Sequence, residues 1–161
     1  MDVRIKHEQR GSLAMRVTPG GVEVRIPRDL EADSAQVQDF VRAGLARLAA
    51  PEPVPAAERL DRPALLGLVE RWAERIGVAD RVQRVQVRRM RHKWASISTA
   101  GNLTLARDLL ELPRSLAEYV VVHELLHLRV PHHNGLFRLL LRAHLPDWRA
   151  RERELARWTW I

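Results

Sequence analysis

Residues 123–127 read His-Glu-Leu-Leu-His, the pattern H-E-x-x-H. On a helix, a spacing of four turns both imidazoles to one face, one turn apart, where both can ligate a single ion. Glu124 lies about 100° further round such a helix. From there its carboxylate reaches a metal-bound water rather than the metal itself. The expected division of labour is that zinc lowers the pKa of the water, while the glutamate accepts its proton and hands it to the leaving group. Val120, Val121, Val122, Leu125, Leu126 and Leu128 make the segment apolar almost all round, which predicts a buried helix. Two histidines and a glutamate in such a place need partners, and a metal supplies them. The plainer alternative is a pair of core histidines satisfied by hydrogen bonds.

A catalytic site with three protein ligands needs one more donor. His132 and His133 follow at once. His133 stands six residues after His127, the ligand spacing of the H-E-x-x-H-x-x-G-x-x-H metalloproteases. The helix-breaking glycine of that pattern is Val130 here, so Pro131 is expected to break the helix. The methionine turn of that clan follows its motif, whereas Met1, Met15 and Met90 all precede this one. The ligand spacing is therefore taken without that clan's fold. His133 is the expected third ligand and His132 its competitor. His144, on the next helix, is expected to be structural or on the surface. The chain has no cysteine, which excludes thiolate metal sites, iron–sulfur ligation, disulfides and cysteine nucleophiles.

The elements that must carry these residues follow from periodicity and punctuation. Leu13, Met15 and Val17 alternate with other residues, as do Val22, Val24 and Ile26, around Thr18-Pro19-Gly20-Gly21. That predicts a β-hairpin, with Val3 and Ile5 adding a strand before it. Ser34 or Asp33 caps a helix bearing Val37, Phe40, Val41, Leu45 and Leu48. A proline-rich stretch at 51–55 then reads as linker or surface loop. Asp61 caps a second helix, with Pro63 in its first turn, and Gly77 closes it. Val82, Val85 and Val87 suggest a strand; Trp94–Thr99 and Leu103–Ala106 suggest two more around Ala100-Gly101-Asn102. Ser115, with Glu118 as a capping box, is expected to start the motif helix, which runs to about Arg129. Asn134 is expected to cap a helix through Leu145, and a last helix covers about 147–158.

The chain has 161 residues, 46% hydrophobic and 29% charged, enough for a folded core without disulfide staples. Its net charge is +7, with Lys6 and Lys93 the only lysines among 27 basic residues. A basic balance permits nucleic-acid contact, and Arg84, Arg88, Arg89, Arg91 and Lys93 lie in one segment. On a strand, Arg84 and Arg88 would share one face and Arg89 and Arg91 the other. An ordinary solvated surface is the plainer reading. No apolar run reaches the roughly 18 residues of a membrane helix, and no signal peptide is visible, so a cytoplasmic protein is expected.

Taken in order, Trp94-Ala95-Ser96-Ile97-Ser98, Gly101-Asn102-Leu103-Thr104-Leu105, Leu112-Pro113, Tyr119 through Leu128, His133 and Phe137 resemble the YgjP-like metallopeptidase family. These are small zincins related to the SprT-like and WLM proteases. The resemblance implies an α+β, zincin-like fold: a β-hairpin/helix unit at 1–50, a linker at 51–62, and a catalytic region at 63–161 with a small sheet beside the motif helix and C-terminal helices. It implies Zn2+ held by His123, His127 and His133, Glu124 as general base, and a peptide or protein substrate. It further implies that an extended substrate pairs with a strand beside the motif helix, here Trp94–Thr99 or Leu103–Ala106. The family's tryptophan motif continues Gly-Ser-Cys where this chain has Ala95-Ser96-Ile97, and its Asn-x-Arg stands here as Ala106-Arg107-Asp108. The metal-binding pattern is untouched by these departures. Two alternatives accompany the peptidase reading: a basic nucleic-acid-associated zinc protein, and the UTP pyrophosphatase that the family's other label names. No Gly-rich phosphate loop supports the latter. His92, Lys93, Tyr119, Arg129 and His132 are the conceivable oxyanion stabilisers.

Overall fold

A computed structural model describes residues 2–47 and 54–158. Leu48, the prolines at 51 and 53 and Trp160 lie outside the described residues. The chain forms two units, Met1–Pro53 with Glu154–Ile161, and Val54–Arg153.

In the first unit, the alternating apolar residues form strands β2 (Ala14–Thr18) and β3 (Gly21–Pro27), an antiparallel hairpin. Gly21 takes φ 131°, and the Thr18 hydroxyl donates to its carbonyl at 3.1 Å. Strand β1 (Val3–Glu8) joins β3 in parallel, which places β3 at the centre. Met15, Val22, Val24 and Ile26 form a core with Val37 of helix α1 (Ala35–Arg47). Ser34 caps α1 by accepting from the Val37 amide at 3.4 Å.

The second unit holds the motif. Helix α2 (Arg62–Ile76) starts at Asp61, whose carboxylate accepts from the Ala64 amide at 2.8 Å. It ends at Gly77 in the left-handed conformation, φ 80°, a position that suits a residue without a Cβ. Strands β4 (Arg84–Arg88), β5 (Ala95–Ile97) and β6 (Asn102–Ala106) form a sheet in the order β4-β6-β5. β6 is paired on both sides, in parallel with β4 and antiparallel with β5. Arg89 and Arg91 lie beyond the end of β4, so the strand alternation expected of the basic segment stops at Arg88.

Helix α3 (Arg114–Leu126) carries the motif and packs against α2, β5 and the next helix, α4 (Gly135–His144). Two local expectations fail here. Pro113, not Ser115, occupies the cap position, and no side chain closes the helix start. Glu118 instead accepts from Trp72 Nε1 at 3.0 Å and from Arg151 Nη1 at 2.7 Å. The helix also ends before Arg129. The amides of His127, Leu128 and Arg129 bond the carbonyls three residues back at 2.9–3.1 Å, a tightened last turn ahead of Pro131. Arg81 satisfies the Leu128 carbonyl, and Arg129 donates to the Ile76 carbonyl at 3.0 Å. The last helix, α5 (Trp148–Ala156), follows α4 after a short turn.

Candidate metal centre

The tightened turn after Leu126 and the bend at Pro131 bring the chain back on itself. His123 lies inside α3, His127 caps it, and His133 sits on the exposed turn before α4. One ring nitrogen from each lies within 4.8 Å of the other two. The Nε2 atoms of His123 and His133 are 2.9 Å apart. His132, the competing ligand, is exposed and stands outside this group. His144 packs edge-on against Trp72, ring centroids 5.8 Å apart, remote in role from the cluster.

Beneath the three imidazoles lies Phe137, 2% exposed. Its ring is 4.7 Å from His127 at an interplanar angle of 27°, and meets His123 and His133 at 5.0 and 4.9 Å, edge to face. The Asn134 side chain accepts from the Phe137 amide at 3.0 Å, so one N-cap fixes both the start of α4 and the aromatic floor. Reading the sequence gave Phe137 no role beyond the resemblance. The available signal was the cap: an Asn at N-cap places the third helical residue back over the preceding turn.

The donor set fits a metal ion on its own chemistry. His127 Nδ1 lies 3.2 Å from the Val130 carbonyl, which only accepts, so the proton is on Nδ1 and Nε2 keeps its lone pair. Burial, reinforced by the neighbouring His127 and His133, holds the pKa of His123 down at about 4. A ring kept neutral in this way is a ligand-ready ring. Two Nε2 atoms facing each other at 2.9 Å, with a third imidazole beside them, match a site with three nitrogen ligands and an open fourth position. Imidazole donors of this kind suit zinc and its transition-metal neighbours.

Glu124 lies beside the cluster and is held from the sheet. Burial raises its pKa to about 7, opposed by a hydrogen bond from the Ile97 backbone and by the charge of Lys93. Trp94 O and Ser98 N both bond β6, at 2.8 and 3.0 Å. Since antiparallel strands alternate their bonding sides, the polar groups of Ala95 and Ile97 face the outer edge. Glu124 therefore meets β5 at its free edge. The other strand weighed for substrate pairing, Leu103–Ala106, has no such edge, because β4 and β5 occupy both of its sides. Among the conceivable oxyanion groups, the Tyr119 hydroxyl donates to Glu152 at 3.3 Å and Arg129 to the Ile76 carbonyl, while Lys93 acts on Glu124.

Comparison with known proteins adds three findings. The model of a family described as YgjP-like, metallopeptidase domain, matches residues 56–158. No curated protein matches the chain. Among solved structures, the metallopeptidase zymogen abylysin of Pyrococcus abyssi is 23% identical, covers 56% of this chain and 90% of its own, and superposes with a TM-score of 0.50. The metallopeptidase zymogen jannalysin of Methanocaldococcus jannaschii is 20% identical, covers 57% of this chain and 93% of its own, with a TM-score of 0.52. At these identities the likeness is one of fold. Among the described residues, no helix is long and apolar enough to cross a membrane.

Proposed function

Because the chain belongs to the YgjP-like metallopeptidase family, we propose that it hydrolyses peptide bonds at the three-histidine cluster, with zinc as its metal. His123, His127 and His133 hold the ion, and Glu124 is the general base. The observation that carries this reading is the convergence of three ring nitrogens within 4.8 Å beside a half-buried carboxylate. Bound zinc would supply Lewis acidity, making a water a nucleophile near neutral pH and polarising a carbonyl.

The rest of the chemistry belongs to side chains of this protein. Glu124 takes a proton from the attacking water and delivers it to the leaving amine nitrogen. Before an ion binds, burial holds this carboxyl above the ordinary carboxylate range, at about 7. The charge of Lys93 favours the ionised carboxylate. The Val130 carbonyl fixes the tautomer of His127. The outer edge of β5 offers main-chain groups to an extended polypeptide, a mode of binding that accepts many sequences.

Elemental analysis and a peptide-cleavage assay test this directly. Protein purified without added metal is expected to carry close to one zinc per chain, and the His133→Ala variant to lose it. Glu124→Gln is expected to keep zinc and lose turnover by about a hundredfold or more. A Glu124→Gln protein that cleaves peptides at the wild-type rate would show the mechanism to be wrong.

A further inference from the structure

Helix α4 buries Phe137 and Leu141 and turns its other side outward. On that outer side Leu136 and Leu139 are 54% and 63% exposed, the most exposed large apolar side chains among the described residues. Beside them runs a groove of about 500 Å3 between α4 and the start of α5, lined by Arg138, Leu139, Arg142, Trp148 and Arg149. The helix carries two arginines and no acidic residue. Among the described residues, no carboxylate pairs with Arg138, Arg142 or Arg149. Arg138 spends one bond on the His133 carbonyl at 3.3 Å, and Arg149 lies 5.2 Å over the Trp148 ring.

Three guanidinium groups around exposed leucines and a tryptophan combine two kinds of demand. The guanidinium groups call for carboxylates or phosphates. The leucines call for apolar surface, which a nucleic-acid backbone does not offer. A polypeptide carrying acidic and large apolar residues meets both. Helix α4 links the groove to the metal centre: it begins two residues after His133, supplies Phe137 as the floor, and bonds His133 through Arg138.

We propose that this groove binds a stretch of the substrate polypeptide in which acidic residues alternate with large apolar ones, and so selects substrates beyond the scissile bond. This rests on the peptidase reading given above. The guanidinium groups take the acidic side chains, while Leu139 and Trp148 take the apolar ones. Arginine and tryptophan are among the residue types that dominate binding energy at such surfaces.

The test is a titration of zinc-loaded Glu124→Gln protein, which cannot consume its ligand, followed by fluorescence anisotropy. The probes are short labelled peptides of alternating Glu and Leu, of Gln and Leu, and of Glu and Gly, together with a single-stranded oligothymidylate. The Glu/Leu peptide is expected to bind about tenfold or more tighter than either control peptide, and less tightly as salt rises. Leu139→Asp and Arg142→Glu, both at exposed positions, are each expected to remove that advantage. The milder Leu139→Ala and Arg142→Gln are expected to reduce it, should the stronger changes fail to fold. Equal binding of the three peptides overturns the proposal, as does a preference that survives every variant. Binding of the oligothymidylate through Arg142 without binding of Glu/Leu assigns the face to nucleic acid and overturns it too. Wild-type hydrolysis of neutral peptides separates the two ideas. If those peptides are cut but Glu/Leu is not preferred, only the groove assignment falls. If no peptide is cut, the peptidase reading falls, and the substrate role of the groove with it.

Discussion

Phe137 stacks on His127, ring centroids 4.7 Å apart and planes inclined by 27°, while touching the other two histidines edge-on. One buried ring thus sets the orientation of all three imidazoles. Phe137→Ala is expected to cost about 3–5 kcal/mol of stability and to abolish zinc retention. Phe137→Leu keeps most of the volume, so its fold should survive while zinc affinity drops by about 10–100-fold. Competition with a chelator of known affinity reads this. A Phe137→Leu protein with wild-type affinity would reduce the ring to a packing role.

The partial burial of His123 makes the metal-free protein sensitive to acid. Its folded-state pKa, about 4, lies below the ordinary value of 6.5 because burial and the neighbouring His127 and His133 disfavour the charged ring. Between those two values the unfolded chain binds the extra proton. Stability from this group is therefore complete above pH 6.5 and is lost as pH falls toward 4, by on the order of 3 kcal/mol. The His127 pKa is lowered as well, mainly by burial, and adds in the same direction. Urea unfolding of chelator-treated protein across that window measures the slope. His123→Phe should flatten it; an unchanged slope in that variant would place the effect elsewhere.

Arg151 gathers three acceptors, two from α3 and one just before α5: Glu118 at 2.7 Å, the Ser115 carbonyl at 3.0 Å and Asp147 at 2.9 Å. Its side chain is 16% exposed and that of Glu118 is 23% exposed, so solvent screening is incomplete. Arg151→Met is expected to destabilise by about 2 kcal/mol. A double-mutant cycle with Glu118→Gln should give a coupling above about 0.5 kcal/mol. Additive losses would mean that the ion pair contributes nothing of its own.

Gly101 turns β5 into β6 with φ 88°, and a Cβ there would strike the carbonyl of Arg81. Gly101→Ala should cost more than about 1 kcal/mol and, by shifting β5, reduce turnover along with stability. Gly67 lies inside α2 with ordinary backbone angles, and a Cβ there meets only the end of the Arg71 side chain, at 3.4 Å. Gly67→Ala should stabilise by about 0.5–1 kcal/mol. Melting temperatures moving in the same direction for both would contradict this reading of the two glycines.

What the sequence revealed and what it concealed divide along the distance over which each feature is encoded. Asp61, Gly77 and Asn134 bond groups within a few residues, and each was legible as a cap. Glu118 sits three residues after Ser115, so it reads as a capping box; its actual partners, Trp72 and Arg151, are 46 and 33 residues away. The β5–β6 hairpin was visible from its turn. The parallel pairing of β4 with β6, which makes β6 central, has no local signal. Ligand spacing pointed to His133 rather than His132, while the bend that brings the His133 ring to the other two and leaves His132 outside depends on the tightened turn before Pro131.

The contact between Glu124 and the Ile97 backbone bears on how much of the β5 edge another chain could reach. β5 is a short edge strand, and an open strand edge is a template for pairing with another chain. A carboxyl group at one of its outward amides takes up part of that template and leaves the rest open to an extended polypeptide. A glutamine at 124 can still accept the Ile97 hydrogen bond, whereas an alanine leaves the amide bare. Glu124→Ala is therefore expected to self-associate more than Glu124→Gln, which sedimentation at high protein concentration would show.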